Sequence, residues 1–441
     1  MDFNKEFIFG VATAAYQVEG AANEGGRTRS IWDTFCMEPG KVFNGDNGDI
    51  ACDFYHRYSQ DIVLMKELGV DSFRFSISWP RIFPTQGVCN PAGIEYYKDV
   101  LKQLKANGIK ACVTLYHWDL PEWAQAKGGW VNRECIDWFL EFAEVCFREY
   151  AETVDMWATH NEPWCPSFLS YIWGVQAPGK RNIEEGLRVA HHILLSHGMA
   201  VELYRRLGLK APIGIVLNIS ATYPESPNYG DQLAASNIGG FINRWFLDPL
   251  FKGTYPFDIA NLLSARVPNF NFIKDGDLEI IGQSCDYLGV NYYSPNVVQF
   301  DPLNLLLCSE AHTTYKKTEM GWSVYPQGLI DSIKSIRREY TDMPIYITEN
   351  GSAWQDTVEN GHVHDPDRVE YLEQHLAAVR ELNEAGMNIA GYFAWSLMDN
   401  FEWSFGYSKR FGLVFIDFAT QERIKKDSFY RYKEVIASRC I

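Results

Sequence analysis

The sequence predicts an α/β protein, a (β/α)8 TIM barrel that residues 1–441 form as a single domain with long loops after its strands. Three observations predict this fold. Eight short β-rich runs recur along the chain, helical patterns lie between them, and no Pro/Gly/Ser-rich linker or low-complexity tract divides the sequence. Strands that alternate with helices form βα units, and eight such units can close into a barrel.

The eight predicted strands are short apolar runs that contain many β-branched and aromatic residues. In chain order they cover residues 6–13, 72–78, 111–117, 156–161, 211–218, 286–293, 344–349 and 389–396. Their near-continuous apolar character is typical of parallel strands that are buried on both faces.

Six segments between these runs show helical periodicity. They cover residues 58–68, 93–107, 133–150, 183–207, 326–340 and 366–385. The second of them places Ile94, Leu101 and Leu104 on one face and stops at Asn107-Gly108, a typical helix end. Residues 80–91 and 297–321 are predicted to be long loops, and a barrel of this type carries its active site on such loops.

Composition and charge exclude several classes of function. The net charge of −16 argues against a nucleic-acid or anionic-membrane partner. The ten cysteines contain no C-x-x-C pair, which favours buried free thiols in a reduced, cytoplasmic protein. The first residues show no signal-peptide pattern, and no apolar run reaches 18 residues. No nucleotide-binding glycine motif occurs, so no cofactor is predicted.

Two glutamates stand at the ends of predicted strands. Glu162 follows the fourth run and Glu349 closes the seventh, 187 positions later. In a parallel barrel these strand ends open onto one face, so the two carboxyl groups can meet there. A pair of carboxyl groups is the minimum needed to split a glycosidic bond. Spacing alone favours an ordinary loop residue at Glu162. Glu349 precedes Asn350-Gly351, a hairpin signal, but the residues that follow form a poor return strand.

Other strand-end residues have both a functional and a structural interpretation. Arg74 lies between two phenylalanines in a buried strand, where it needs an anion, and an inward carboxylate would supply one. His117 could be a packed core histidine, and Trp395 and Trp403 could simply pack together. The pattern His362-Val363-His364 resembles a metal-ligand pair, but its polar surroundings indicate a solvated loop.

Three further histidines lack metal-binding spacing. His191, His192 and His197 have neither the i, i+4 spacing nor the glutamate of a zinc-binding helix, which indicates helix surface or packing. We therefore predict no metal site.

Six segments, in order along nearly the whole chain, resemble glycoside hydrolase family 1, the β-glucosidase family. They are residues 9–20 (FGVATAAYQVEG), 74–81 (RFSISWPR), 116–121 (YHWDLP), 161–163 (NEP), 346–351 (YITENG) and 402–407 (EWSFGY). Each segment is modest evidence alone, whereas six in the same order are specific.

The resemblance implies a retaining β-glucosidase that acts by double displacement, with Glu162 as the acid/base and Glu349 as the nucleophile. It implies that the hydroxyl groups of the transferred sugar are held by Gln17, His117, Asn161, Glu402 and Trp403. By the same resemblance, Trp395 lies beneath the sugar ring, Trp322 supports the leaving group, and Asn291, Tyr293 and Arg74 position Glu349. For these roles we expect a lowered pKa at Glu349 and a raised pKa at Glu162.

Several alternatives stay open from the sequence. The runner-up enzyme is a 6-phospho-β-glycosidase, which Glu402 disfavours because its carboxylate would repel a phosphate. A thioglucosidase would lack the acid Glu162. A catalytically silent sugar-binding barrel and a metal-dependent hydrolase are further possibilities. The expected partner is a β-glucoside or short β-linked oligosaccharide. Galactosidase or fucosidase side activity, transglycosylation and a homo-oligomer are possible.

Overall fold

A computed structural model describes residues 3–441, and within this range eight parallel strands close into one barrel. The strands are β1 (Ile8–Ala12), β2 (Ser72–Ser76), β3 (Lys110–Tyr116), β4 (Met156–Asn161), β5 (Ile213–Asn218), β6 (Tyr287–Asn291), β7 (Ile345–Asn350) and β8 (Ile389–Trp395). Each strand pairs with the next along the chain, and β8 pairs with β1 to close the barrel. The predicted fold class and all eight predicted strands are confirmed.

Helices surround the barrel. The six predicted helices are present as Phe54–Leu68, Pro91–Ala106, Cys135–Tyr150, Ile183–Arg206, Pro326–Glu339 and Pro366–Glu384. Two of them begin at a capping side chain: Asn90 and Asn182 each accept a hydrogen bond from a backbone N–H of the first turn. Their apolar faces pack on the outer side of the barrel in one large core.

Several helices were not predicted from the sequence. The segment between β5 and β6 contains Tyr229–Gly239, Trp245–Lys252, Phe257–Ser264 and Asp277–Ile281, and the chain ends in the helix Asp427–Ser438. The first of these is rich in Gly, Asn and Ser, which are weak helix formers. Tertiary packing stabilises it, because its Ala234 and Ala235 are buried.

The predicted loops are only partly irregular. Near the first, Trp79–Ile82 forms a short helix. Within residues 297–321, the strands Asn296–Phe300 and Cys308–Glu310 pair antiparallel, and Thr222–Pro224 joins them in a small sheet beside the barrel. The prediction of a long loop at 297–321 is therefore wrong for these two short strands, because backbone pairing with a distant segment stabilises them.

The barrel interior has a floor of close-packed side chains. Cys112, Met156, Tyr287 and Phe393, from β3, β4, β6 and β8, contact one another in a separate buried cluster. Strands from different sides of the closed sheet can contribute to one cluster only inside the barrel. This floor leaves the space above it, at the carboxyl ends of the strands, for a site.

A buried ion network ties the loop after β7 to the loop after β8. Lys426, which is fully buried, pairs with Asp356 and Asp399. Arg368 pairs with Asp356 and Asp365, and Arg410 completes the set by pairing with Asp399. Because three acids face three bases, the network buries its charges without a net excess.

None of the helices among residues 3–441 combines the length and the hydropathy that a bilayer crossing needs. The structure places all three helical histidines in packed positions. His191 contacts Asp277 and Tyr255, His192 contacts the Trp130 carbonyl, and His197 contacts the Thr159 hydroxyl. By contrast, His362 and His364 are exposed, as their polar surroundings indicate.

Candidate active site

Most of the predicted site residues line one cavity of about 640 Å³ above the barrel floor. Nine of the twelve contribute to its wall: His117, Glu162, Asn291, Tyr293, Trp322, Glu349, Trp395, Glu402 and Trp403. The other three, Gln17, Arg74 and Asn161, lie behind this wall and hydrogen-bond to residues in or beside it. The strand ends therefore bring together residues that are up to 386 positions apart in sequence.

Glu349 is held by a cation and a hydroxyl group. Arg74 Nη1 donates to Glu349 Oε1 at 2.5 Å, and Tyr293 Oη donates to Glu349 Oε2 at 2.7 Å. Both Arg74 and Glu349 are almost fully buried. This ion pair confirms the sequence-based inference that an inward carboxylate supplies the anion for Arg74.

Glu162 has a different environment, although it shares the same cavity. Asn291 Nδ2 donates to Glu162 Oε1 at 2.7 Å, and the Cys165 thiol donates to Glu162 Oε2 at 3.1 Å. No lysine or arginine of residues 3–441 forms a salt bridge with it. Each oxygen of Glu162 therefore has a neutral donor.

A chain of hydrogen bonds with one possible polarity connects the two glutamates. A guanidinium group has only donors, so Arg74 Nη2, at 2.6 Å, fixes Asn161 Oδ1 as an acceptor. Asn161 Nδ2 must then donate to His117 Nε2, 3.1 Å away. Asn291 Nδ2 also donates to Asn161 Oδ1, while the Thr348 hydroxyl donates to Asn291 Oδ1.

This polarity determines the tautomer of His117. Because Nε2 accepts, the ring proton is on Nδ1, and burial lowers the pKa of His117 well below its usual value, which keeps the ring neutral. His117 Nδ1 is buried and has no hydrogen-bond partner within residues 3–441. His117 therefore offers a free N–H donor at the site.

The two carboxyl groups differ in acidity. Burial and the charge of Glu349 raise the pKa of Glu162 to about 7. Burial also raises the pKa of Glu349, while Arg74, Tyr293 and Asn291 act in the opposite direction. The expected net lowering at Glu349 is wrong, because the cost of burying the charge exceeds the effect of its donors. At neutral pH the proton belongs on Glu162, which lacks the cation.

Glu402 and Gln17 add two free acceptors. Burial and the charges of Glu349 and Glu162 raise the pKa of Glu402 to about 8. Gln17 Nε2 donates to Asn400 Oδ1 and to the Phe401 carbonyl. In the described part of the chain, Glu402 Oε2 and Gln17 Oε1 are buried without a partner, as groups waiting for a polyhydroxylated ligand would be.

Aromatic rings form the remaining walls. The His117 ring stacks near Trp395 and Trp403, with centroid distances of 6.0 and 6.1 Å. Trp322 lies further out, 5.3 Å from the Tyr293 ring. Behind Trp395, a Cβ on Gly351 would lie 1.7 Å from the Trp395 carbonyl oxygen, so this close approach requires glycine.

Three residues of the cavity wall have strained backbone conformations. Glu162, Trp118 and Trp403 have φ values of 47°, 77° and 51°, in the left-handed region that side chains disfavour. The Glu162 N–H donates to the Val216 carbonyl of β5 at 2.8 Å, which helps to hold the strained residue. Such conformations persist only where surrounding structure enforces them, and they cluster at functional sites.

The sequence analysis missed some residues of the cavity wall. Trp118 packs on Trp403 at 4.7 Å and donates from Nε1 to the Asn161 carbonyl. Cys165 lies against Glu162, and Phe411 packs near Trp322. Trp118 lies inside a recognised segment and Cys165 three residues after Glu162, so proximity in sequence was a usable signal for both. Phe411 carried no signal of this kind.

A closed (β/α)8 barrel with two buried carboxyl groups at the ends of β4 and β7 is an arrangement typical of barrel glycoside hydrolases. The chain belongs to glycosyl hydrolase family 1, since the model of that family matches residues 1–440.

Relatives match over almost their full lengths. β-Glucosidase A of Acetivibrio thermocellus is 46% identical over 439 residues, which cover 98% of each chain. The bifunctional β-D-glucosidase/β-D-fucosidase of Bifidobacterium breve is 43% identical over 461 residues, with 99% of this chain and 98% of that protein covered. The crystal structure of the family 1 β-glucosidase of Exiguobacterium antarcticum superposes with a TM-score of 0.99 at 54% identity, and covers 100% of this chain and 99% of that chain.

Proposed function

We propose that the protein is a retaining β-glucosidase that releases terminal, non-reducing β-D-glucosyl residues by double displacement. The observation that carries this proposal is the asymmetry of the two glutamates. Glu349 is paired with Arg74 and Tyr293, whereas Glu162 has neutral donors only and a pKa near 7. One carboxyl group is thus prepared as a nucleophile and the other as an acid.

In the first step Glu349 attacks the anomeric carbon while Glu162 gives its proton to the leaving oxygen. The bond from the anomeric carbon to the aglycone breaks, and an ester between Glu349 and the sugar forms. Esterification removes the negative charge of Glu349, which is one cause of the raised pKa of Glu162. Glu162, which has given up its proton, is therefore stable as a carboxylate at this stage.

In the second step Glu162 acts as the base. It takes a proton from water, whose oxygen attacks the anomeric carbon from the face that the aglycone left. The ester bond breaks, Glu349 regains its charge, and the sugar departs with its original configuration. Arg74 and Tyr293 stabilise the carboxylate as it is released.

We propose that the sugar lies over Trp395 with its hydroxyl groups on Gln17, His117, Glu402 and Trp403. The free Nδ1–H of His117 and the free oxygens of Gln17 and Glu402 support this placement, as they supply one donor and two acceptors. One amide hydrogen of Asn161 is also uncommitted. Trp322 would then face the aglycone, which we propose to be glucose in cellobiose-like substrates or an aryl or alkyl group.

Paired alanine variants with azide test the assignment. Glu349→Ala should abolish turnover of an aryl glucoside. Glu162→Ala should keep activity on dinitrophenyl glucoside, which needs no acid, and azide should accelerate it and give the β-glucosyl azide. The exposed Glu279→Ala is the matched control and should behave like wild type.

Near wild-type turnover by Glu349→Ala would refute the nucleophile assignment, and the α-azide as the product of Glu162→Ala would refute the acid/base assignment. The same assay addresses the alternatives. A catalytically silent sugar-binding barrel would release no aryl alcohol, and inhibition by a chelator would indicate a metal-dependent hydrolase.

A 6-phospho-β-glycosidase is disfavoured by the charges of the cavity. Four carboxyl groups line it, those of Glu162, Glu310, Glu349 and Glu402, and the one lysine among its described lining residues, Lys317, is bonded to the Ser323 hydroxyl. A phosphate needs cationic or N–H donors. Activity on a glucoside 6-phosphate that exceeds activity on the unphosphorylated glucoside would reverse this preference.

Four further properties are proposed with the function. We propose one catalytic domain, since strands from both ends of the chain, β1 and β8, close the same barrel. A cytoplasmic location is supported by the nine cysteines from Cys36 to Cys308, which form no disulfide among the described residues. Cellulose-derived oligosaccharides are the proposed natural substrates, and a cello-oligosaccharide panel tests them. A homo-oligomer stays a prediction that light scattering can check.

A further inference from the structure

The thiol of Cys165 lies directly against the group that we propose as the acid/base. Its Sγ is 3.1 Å from Glu162 Oε2, and the side chain lines the cavity while staying 5% exposed. The backbone holds Cys165 there from both sides: its N–H donates to the Glu162 carbonyl at 2.9 Å, and the Ser170 hydroxyl donates to its carbonyl at 3.2 Å. The backbone of Cys165 is therefore fixed beside Glu162, whereas its S–H bond can still rotate.

Hydrogen-bond polarity assigns different tasks to the two oxygens of Glu162. Oε1 accepts from Asn291 Nδ2, and the direction of that bond is fixed because the same Nδ2 donates to Asn161 Oδ1, which the donor-only Arg74 makes an acceptor. When Glu162 is neutral, its proton therefore belongs on Oε2. That is the oxygen that Cys165 contacts.

We propose that Cys165 is a positioning residue that donates its S–H to Glu162 Oε2 in the carboxylate form and turns away when Oε2 is protonated. In this way it stabilises the base form needed for the second step without opposing the acid form needed for the first. The inference rests on the proposed role of Glu162.

A thiol suits this role better than a stronger or charged donor. Burial and the adjacent Glu162 raise the pKa of the Cys165 thiol well above its usual value, so it stays a neutral donor. A thiol is a weak donor that can rotate, and its sulfur is also a weak acceptor. A lysine here would hold Glu162 ionised and remove the acid.

Other groups facing Glu162 also influence its titration and must stay constant in a test. They are Arg74 from β2, Tyr293 after β6, Glu349 from β7 and Glu402 after β8. None of these four side chains forms a hydrogen bond with the Cys165 side chain within residues 3–441. Substitution of Cys165 therefore changes one donor to Glu162 and leaves these charges in place.

The test is the basic limb of the pH profile of kcat/KM for an alkyl or unactivated aryl glucoside, which reports the pKa of the acid. Cys165→Ala removes a donor to the carboxylate, so the limb should move to higher pH by about half a unit. Cys165→Ser keeps a donor and should leave the limb at or below its wild-type position. Cys146→Ala, which alters another fully buried thiol, is the control.

A second readout separates this role from packing. Dinitrophenyl glucoside needs no acid in the first step, so Cys165→Ala should alter its profile much less. The proposal is overturned if wild type, Cys165→Ala and Cys165→Ser have the same basic limb, or if both variants move the limb to higher pH. If the alanine variant does not fold, Cys165→Ser decides alone: because a hydroxyl is a stronger donor than a thiol, its basic limb should move to lower pH, and a limb at or above the wild-type position overturns the proposal. Failure here, with azide rescue of Glu162→Ala intact, would leave the proposed function standing.

Discussion

The hydroxyl group of Tyr293 offers the sharpest test of how Glu349 is kept ionised. It donates to Glu349 Oε2 at 2.7 Å, while Arg74 occupies Oε1 at 2.5 Å. Tyr293→Phe deletes one oxygen atom and leaves the ring, which packs 5.3 Å from Trp322. The variant therefore removes one donor from a buried carboxylate and little else.

The size of the effect follows from the kind of bond. A hydrogen bond to a charged group contributes roughly 1.5–3 kcal/mol, which corresponds to a fall in kcat/KM of roughly 10- to 150-fold. The same energy raises the pKa of Glu349 by about 1–2 units. Burial already raises that pKa, so the loss adds to an existing cost.

The sign of the pH effect is determined by the role of Glu349. The nucleophile must be anionic, and activity is lost as pH falls through its pKa. Because Tyr293→Phe raises that pKa, the acidic limb of kcat/KM should move to higher pH, whereas the basic limb, which reports Glu162, should move much less. A pH series with an aryl glucoside measures both limbs.

Tyr292→Phe is the matched control. The hydroxyl of this neighbouring tyrosine donates to the Tyr325 carbonyl at 2.7 Å and to neither glutamate, while its backbone N–H, which the substitution keeps, donates to the Glu349 carbonyl at 3.1 Å. It should lower Tm slightly while leaving the acidic limb in place. If Tyr293→Phe and Tyr292→Phe have the same acidic limb as wild type, the Tyr293 hydroxyl does not stabilise the Glu349 carboxylate.

Two further variants probe stability. Burial raises the pKa of Glu402 from 4.5 to about 8, so the stability present below pH 4.5 is lost as pH rises toward 8. The Tm of Glu402→Gln should therefore exceed that of wild type by more at pH 8 than at pH 5. The corresponding gain in the free energy of unfolding is at most about 5 kcal/mol. An equal difference in Tm at pH 5 and pH 8 would contradict this. Lys426→Met leaves Asp356 and Asp399 partly uncompensated and should cost roughly 3–5 kcal/mol in urea unfolding. The matched variant Lys425→Met, which removes a salt bridge to the partly exposed Glu67, should cost under about 1 kcal/mol in the same measurement.

Much of the fold could be predicted from the chain because its strands and longer helices are locally encoded. The eight apolar runs and the six amphipathic segments carry their own periodicity, so their positions came out within a few residues. The short helices between β5 and β6 did not, because weak helix formers such as those of Tyr229–Gly239 depend on packing against distant residues. The same holds for the pairing of Asn296–Phe300 with Thr222–Pro224, which lies more than 70 positions earlier in the chain.

The site shows the same division. Both glutamates and Arg74 could be predicted from their positions in or at the ends of apolar strands, since polar residues in buried strands need a partner or a function. What they could not show is the balance at Glu349, where burial outweighs an ion pair and a tyrosine hydroxyl. That balance depends on how completely the barrel excludes water, which is a property of all eight strands together.

The sequence by itself determined the barrel, the family resemblance and the pair of glutamates, because each is written in local pattern or in short segments. The tertiary structure alone decided which oxygen of Glu162 can carry the proton, which nitrogen of His117 is free, and that Cys165 touches Glu162. These facts depend on hydrogen-bond direction. The direction of these hydrogen bonds is set only when residues on or beside β2, β3, β4 and β6 meet above the barrel floor. There the Arg74 guanidinium, which can only donate, fixes the orientation of the Asn161 and Asn291 amides.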